Sequence, residues 1–284
     1  MSAQDTAFNQ KIGQIFNPHA EVMVMGILNC TPDSFSDGGS YVTEENWLKQ
    51  SEKMIHEGAD IIDIGALSTR PNAIEISEEE EGKRLIPVVS SVRKCFPNVV
   101  ISVDTFRAKI AQKAVDAGAN IINDISGGTF DEMMFETIAQ LKVPYVLMHN
   151  NGSFERMHEK EPEHTIQDRV ASFLRTQIVR LNQLGVKKII IDPGVGFGKT
   201  MEQNYELISD FGYLEPLPYP ILIGISRKSM ISRLLNVQSN ETVNAASGLH
   251  AHCIGAGAKI IRVHDVKPAK QVIEVMKALK RYEY

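Results

Sequence analysis

The chemistry of this 284-residue chain is concentrated in Asn29, Asp63, Thr69, Arg70, Asp104, Asn123, His149, Asp192, Lys228, Arg262 and His264. Each follows, directly or within a short loop, on a run of apolar residues. They divide by charge. Arg70, Arg262 and His264, with Asn29 and Thr69, form an anion-binding group, because the guanidinium fork presents paired donors to phosphate. Asp104, Asn123, Asp192 and Lys228 form a second, nearly neutral group. Its donors and acceptors suit the edge of a polar heterocycle, since carboxylates accept from ring N–H and amino groups. A phosphate arm beside a heterocycle arm implies a phosphorylated, nitrogen-rich substrate. There is no Ser/His/Asp order and no Cys–His pairing. His158, His164, His250 and His252 read as surface or packing residues, and Glu78–Glu81 as a solvated helix start favoured by the helix dipole.

Two stretches are richer than connecting loops need to be. Val22 to Ser40 begins as an apolar run of strand length and turns polar at Asn29. Its loop carries Asp33, Asp37, Thr31, Ser34, Ser36 and the aromatic Phe35, and closes with Gly38-Gly39. It reads as a strand delivering a polar side chain to a site, with the loop as its lid. Asp192 to Thr200, DPGVGFGKT, approaches a phosphate-binding P-loop but places Pro193 where that pattern needs its first glycine. It reads instead as a tight loop that brings backbone and Phe197 close to a ligand.

Eight strand-like runs, each followed by a helical stretch, must position these groups. EGADIID, AGANIIN, LGVKKIIID and AGAKIIR recur at the second, fourth, sixth and eighth runs, each with a Gly closing a helix. They end in Asp63, Asn123, Asp192 and Arg262. A double-unit period is what a (β/α)8 TIM barrel shows, because its odd and even strands fill alternate core layers. The length suits one such barrel, and a doubly wound open sheet is the competing fold. Residues 21–284 are expected to form the barrel. Residues 1–20 read as a polar lead-in, a short strand or a plug. Ser77 and Glu80 predict a capping box. A net charge of −5 gives no support for nucleic-acid or membrane-surface binding. The absence of a membrane-length apolar run or an N-terminal apolar core, with three scattered cysteines, predicts a cytoplasmic protein.

GILNCTPDSFSDGG, DIGALSTRP, SVDT, INDISGG, DPGVGFGK, SRKS and IRVHD occur in this order over residues 22–265. Together they resemble the signatures of the dihydropteroate synthase family. The resemblance implies a barrel that joins a dihydropterin pyrophosphate to p-aminobenzoate with Mg²⁺, releasing pyrophosphate, in folate biosynthesis. It implies pterin contacts from Asp104, Asn123, Ile125, Met148, Asp192, Phe197, Gly224 and Lys228. Asn29, Thr69, Arg70, Arg262 and His264 resemble the pyrophosphate site, with Asn29 also on the metal. Phe35, Thr69, Arg70, Pro71, Ser226 and Lys228 resemble the p-aminobenzoate pocket, where sulfonamides compete. Lys228, Asp104 and Arg262 are the expected catalytic residues, and a homodimer is expected. Cys30, Leu67, Asn72 and the segment after His149 depart from the family pattern, and Cys30 reads as packing rather than a nucleophile. Two alternatives stay open: a pterin-binding barrel without turnover, and a corrinoid-dependent methyltransferase of the same barrel type.

Overall fold

The computed structural model describes residues 3–30, 44–67, 76–150 and 165–280, with side chains from residue 10 onward. Strands β1 (Met23–Asn29), β2 (Ile61–Gly65), β3 (Val100–Asp104), β4 (Ile121–Asp124), β5 (Tyr145–Met148), β6 (Ile189–Asp192), β7 (Ile221–Ile223) and β8 (Ala258–Val263) are parallel and neighbour one another in sequence order. β8 pairs back onto β1, Val24 opposite Ile261. Closure excludes the open sheet and establishes the (β/α)8 barrel. The outer helices are α2 (Glu44–His56), α3 (Glu78–Cys95), α4 (Ala108–Asp116), α5 (Met134–Leu141), α6 (Ile166–Gln183), α7 (Met201–Ser209), α8 (Ser229–Leu235), α9 (Val243–Gly255) and α10 (Val266–Lys280).

Strand side chains alternate between the barrel interior and the helix layer. Met25, Ile61, Val100, Ile121, Val146, Ile190, Leu222 and Ile260 form one inner cluster, the floor of the barrel. The residues between them, such as Ile62, Ile64, Ile101, Ile122, Leu147, Ile191 and Ile261, belong to the larger core against the helices. Two residues above the floor, six of the eight interior positions are polar or lack a side chain, Asp63, Ser102, Asn123, Asp192, Gly224 and Arg262, while Ile27 and Met148 stay apolar. The sequence alternation therefore sorts a dry floor from a polar ceiling.

The recurrent glycines perform one job. Gly58, Gly118, Gly185 and Gly257 have φ of 98°, 111°, 84° and 106°. The left-handed conformation, open to glycine without a Cβ penalty, turns the chain from a helix into an even strand.

Of the readings of the lead-in, the plug holds and the strand does not: α1 (Ala3–Phe16) is a helix whose Ile15 joins the floor cluster and plugs the lower end of the barrel. Two expectations are corrected. The acidic run is not wholly solvated. Glu81 is fully buried, accepting from the Thr105 hydroxyl at 2.6 Å and pairing with Arg107, which also donates to the Ile76 carbonyl. The predicted capping box is half formed. Ser77 Oγ accepts from the Glu80 N–H at 3.2 Å, while the Glu80 carboxylate turns to Arg84 at 2.6 Å.

Asp124 obeys the alternation but carries a carboxyl outward from β4. It points into the helix layer and is fully buried. Its oxygens accept from the N–H groups of Ser126 at 2.6 Å and Gly128 at 3.0 Å, and from the Tyr145 hydroxyl at 2.5 Å. It shapes the β4–α5 loop directly above Asn123. Tyr145→Phe leaves this carboxylate short of a donor, so urea unfolding is expected to show a loss of about 1–3 kcal/mol. An unchanged midpoint would refute the role.

Candidate active site

The polar ceiling is held by one cation from β8. Arg262 Nε lies 2.6 Å from Asp63 Oδ2, and its Nη2 lies 2.9 Å from Asp104 Oδ2. Asn123 Nδ2 donates to the same Asp63 oxygen at 3.0 Å. Asp63 is fully buried, so that oxygen's partners come from side chains. Strands β2, β3, β4 and β8 are thereby joined across the barrel mouth. Burial raises the pKa of Asp104, and the neighbouring Asp63 adds to this, while Arg262 opposes it. A carboxyl poised in this way can exchange hydrogen bonds with a ligand's N–H groups.

The second polar group comes from β6 and β7. Asp192 is buried and accepts from the Gly194 N–H at 2.7 Å. Burial pushes its carboxyl up, against the pull of the Gly194 N–H, Lys228, Lys199 and Arg262. Lys228 stands just beyond β7 with its ammonium 4.2 Å from the centroid of the Phe197 ring. Burial and the nearby Arg262 bring its pKa down to about 8. The close approach depends on Gly196, whose added Cβ would meet Lys228 Cδ at 2.8 Å.

An apolar wall completes the space. Ile125, Met148 and Phe197 cluster with Phe106, backed by Leu67 and Phe130. Phe106 meets Phe130 edge to face at 5.2 Å. Gly224 keeps the interior open on the β7 side, since the nearest atom to an added Cβ would be 3.9 Å away. Flat apolar surfaces beside carboxylate, amide and ammonium groups fit a planar, hydrogen-bonding heterocycle.

At the rim, Ser226 Oγ lies 3.2 Å from both the backbone N and the Nδ1 of His264. His264 is brought down to about 3 by burial, Arg227 and Arg262. Its contribution to an anion site is therefore hydrogen bonding rather than the positive charge expected from sequence. Asn29 ends β1, half-buried, with the next residue anchored by the Cys30 N–H to the Gly65 carbonyl at 2.8 Å. The Cys30 thiol is buried and pushed up to about 12, as a packing residue should be.

The structure thus brings together Asp104, Asn123, Ile125, Met148, Asp192, Phe197, Gly224, Lys228 and Arg262, with Asn29, Ser226 and His264 on strands or loops of the same rim. Phe35, Thr69, Arg70 and Pro71, like His158 and His164, lie outside the described residues. Sequence reasoning counted Asp63 at the rim without giving it a role, and it missed Phe106, Lys199 and Arg227. The signal for Asp63 was present: it occupies the place in the repeat held by Asn123, Asp192 and Arg262. Arg227 pairs with Asp265 through two contacts, 2.8 and 3.1 Å, and adopts φ 59°. It ties the loop bearing Ser226 and Lys228 to the loop bearing His264. His250 is buried as packing, and His252 Nε2 reaches the carbonyls ending α7.

Among the described residues no three His, Cys, Asp or Glu side chains form a metal cluster. Mg²⁺ needs no such cage, because it keeps water and substrate phosphate oxygens and takes few protein ligands. The amide oxygen of Asn29 at the rim is a donor of the right kind.

The chain matches the family described as pterin binding enzyme over residues 25–264. It is 40% identical over 273 residues to the dihydropteroate synthase of Streptococcus pyogenes serotype M6, covering 95% of this chain and 99% of that protein. It resembles the crystal structure of the Clostridium difficile dihydropteroate synthase in the presence of pteroic acid, with TM-score 0.86, 35% identity, and coverage of 92% and 97% of the two chains. It also resembles the Xanthomonas albilineans dihydropteroate synthase with 4-aminobenzoic acid, with TM-score 0.86, 35% identity, and coverage of 93% and 94%. The chain belongs to the pterin binding enzyme family, among the dihydropteroate synthases.

Proposed function

We infer that the chain condenses 6-hydroxymethyl-7,8-dihydropterin pyrophosphate with p-aminobenzoate, yielding 7,8-dihydropteroate and pyrophosphate in folate biosynthesis. The observation that carries this reading is the adjoining of Asp104, Asn123, Asp192 and Lys228 with the apolar wall of Ile125, Met148 and Phe197 inside one barrel mouth. The similarity to dihydropteroate synthases supports reading that mouth as the seat of the pterin. Asp192 and Asn123 match the donors and acceptors on the edge of the ring, and Phe197 and Met148 cover its faces.

The carbon–oxygen bond between the pterin CH2 and pyrophosphate breaks, and the electron pair leaves with pyrophosphate. The electron-rich ring stabilises the resulting cation. The arylamine lone pair then forms the new carbon–nitrogen bond, and its proton passes to solvent. The amine is nucleophilic already, so no strong base is required. Asp104, close to the reacting end, favours the positive charge when ionised. Arg262 supplies charge to the leaving group, assisted by hydrogen bonds from His264, and Lys228 and Ser226 face p-aminobenzoate. The family resemblance assigns Thr69 and Arg70 to the anion site and Phe35 and Pro71 to the p-aminobenzoate pocket. Asn29 would hold Mg²⁺, which when bound neutralises the charge developing on pyrophosphate.

Two further assignments belong to the same reading. Leu234, Leu235 and Val237, exposed at and beyond the end of α8, are apolar side chains that a homodimer interface would cover. No helix among the described residues is long and apolar enough to cross a membrane, and the cysteines are free. Both accord with a cytoplasmic location.

Purified protein given Mg²⁺, dihydropterin pyrophosphate and labelled p-aminobenzoate is expected to form labelled dihydropteroate. Pterin binding without product would instead identify a binding barrel. Lys228→Ala is expected to abolish turnover while the circular dichroism spectrum stays native, and near-normal turnover would remove Lys228 from the mechanism. Its ammonium is the active form, so kcat/KM for the pterin substrate should fall as pH rises through about 8. Lys228→Arg, which keeps its charge, should lack that alkaline limb.

A further inference from the structure

The β6–α7 loop, Asp192 to Thr200, has a cation at its centre that the pterin reading does not use. Lys199 Nζ turns back into its own loop and donates to the Gly194 carbonyl at 2.7 Å and the Phe197 carbonyl at 3.0 Å. Both residues matter to the site. Gly194 gives its N–H to Asp192 at 2.7 Å, and Phe197 carries the ring beneath Lys228. The Phe197 N–H closes the same turn onto the Gly194 carbonyl at 3.1 Å.

The turn is built from glycines and packs closely against its neighbours. Gly194, Gly196 and Gly198 have φ of 70°, 85° and 62°. An added Cβ at Gly194 would lie 1.8 Å from the His149 carbonyl oxygen. The far end is held separately: Asn204 accepts from the Gly196 N–H at 2.6 Å and donates to the Thr200 carbonyl at 2.8 Å, and Thr200 caps α7. Lys199 therefore fixes the half of the loop that faces the pterin.

We propose that Lys199 is a positioning residue for the pterin: its ammonium, seated on the Gly194 and Phe197 carbonyls, holds Asp192 and the Phe197 ring in register, and its charge acts on Asp192. The proposal rests on the function inferred above.

Asp192 binds ring N–H and amino groups best as a carboxylate. Burial disfavours that form, and the groups opposing burial are the Gly194 N–H, Lys228, Lys199 and Arg262. Lys199 is itself brought down to about 7 by burial, and by Lys228 and Arg169, against the pull of Asp192. His149, adjacent across the loop, is held well below its usual range by burial, Lys199 and Arg169, and so stays neutral. Tyr213, which also faces Asp192, is neutral because burial raises its hydroxyl. The cationic influence of Lys199 on Asp192 is thus greatest at and below about pH 7. It fades at higher pH, as Lys199 loses its proton.

Binding of dihydropterin pyrophosphate to wild type, Lys199→Met, Lys199→Gln and Lys199→Arg, followed from pH 6 to 9, tests this. Lys199→Met and Lys199→Gln are expected to bind roughly tenfold or more weakly at pH 6.5, the scale of a lost charge-assisted contact. The deficit relative to wild type should shrink steadily towards pH 9, where Lys228 affects all forms alike. Lys199→Arg should recover much of the loss at low pH, and KM for p-aminobenzoate should stay within about twofold of wild type. Wild-type affinity in both neutral variants overturns the proposal, as does a deficit equal at every pH. A wild type that binds no dihydropterin pyrophosphate overturns the inferred function and this role with it. A wild type that binds it beside unaffected variants overturns the role of Lys199 alone.

Discussion

The barrel mouth depends on a bargain between one guanidinium and two carboxylates. Arg262 would not be tolerated at the centre of a β-barrel without partners, and neither would Asp63, which has no exposure at all. Asp63 Oδ2 accepts from Arg262 and Asn123 together, and Asp104 takes the other side of the fork. Four strands are consequently registered by side chains at the level where ligand binds. Removing any member strands a charge in a low-dielectric space, so the network constrains the site's geometry more than it adds to overall stability.

Around that centre the site is assembled from elements with separate supports. Asp124, turned outward, shapes the loop above Asn123 with two backbone N–H groups and the Tyr145 hydroxyl. The β6–α7 loop is shaped by three left-handed glycines and an internal lysine. Arg227 and Asp265 clasp the loops after β7 and β8. Glu81 and Arg107 join the start of α3 to the end of β3. The groups that face the ligand are thus oriented by polar groups behind them, buried except for the part-exposed Arg227–Asp265 pair, which is how a polar site stays rigid before the ligand arrives.

Much of this was legible in the chain. The recurring glycines before the even strands implied eight units, and the alternation above Ile61, Ile121, Ile190 and Ile260 placed Asp63, Asn123, Asp192 and Arg262 on one interior level. The reason is geometric: strand side chains have a period of two whatever the tertiary context. What sequence could not reveal was the partner of each charge. Glu81 looked like one of four solvated acids because its relatives in the run are solvated, and only Arg107 and Thr105, more than twenty residues on, draw it inside. α1 looked like a polar lead-in because, among its described side chains, only Ile12 and Ile15 are buried apolar residues, too few for a periodic signal.

By itself the sequence determined the repeat, the hand-over from apolar floor to polar ceiling, and the residue types that name the chemistry, since these rest on local spacing. Tertiary structure decided closure of the eight strands, the sharing of Asp63 between Arg262 and Asn123, the neutrality of His264, and the folding of Lys199 back onto its own loop. Those outcomes turn on distances and burial, and residues 199 positions apart, like Asp63 and Arg262, acquire them only when the barrel closes.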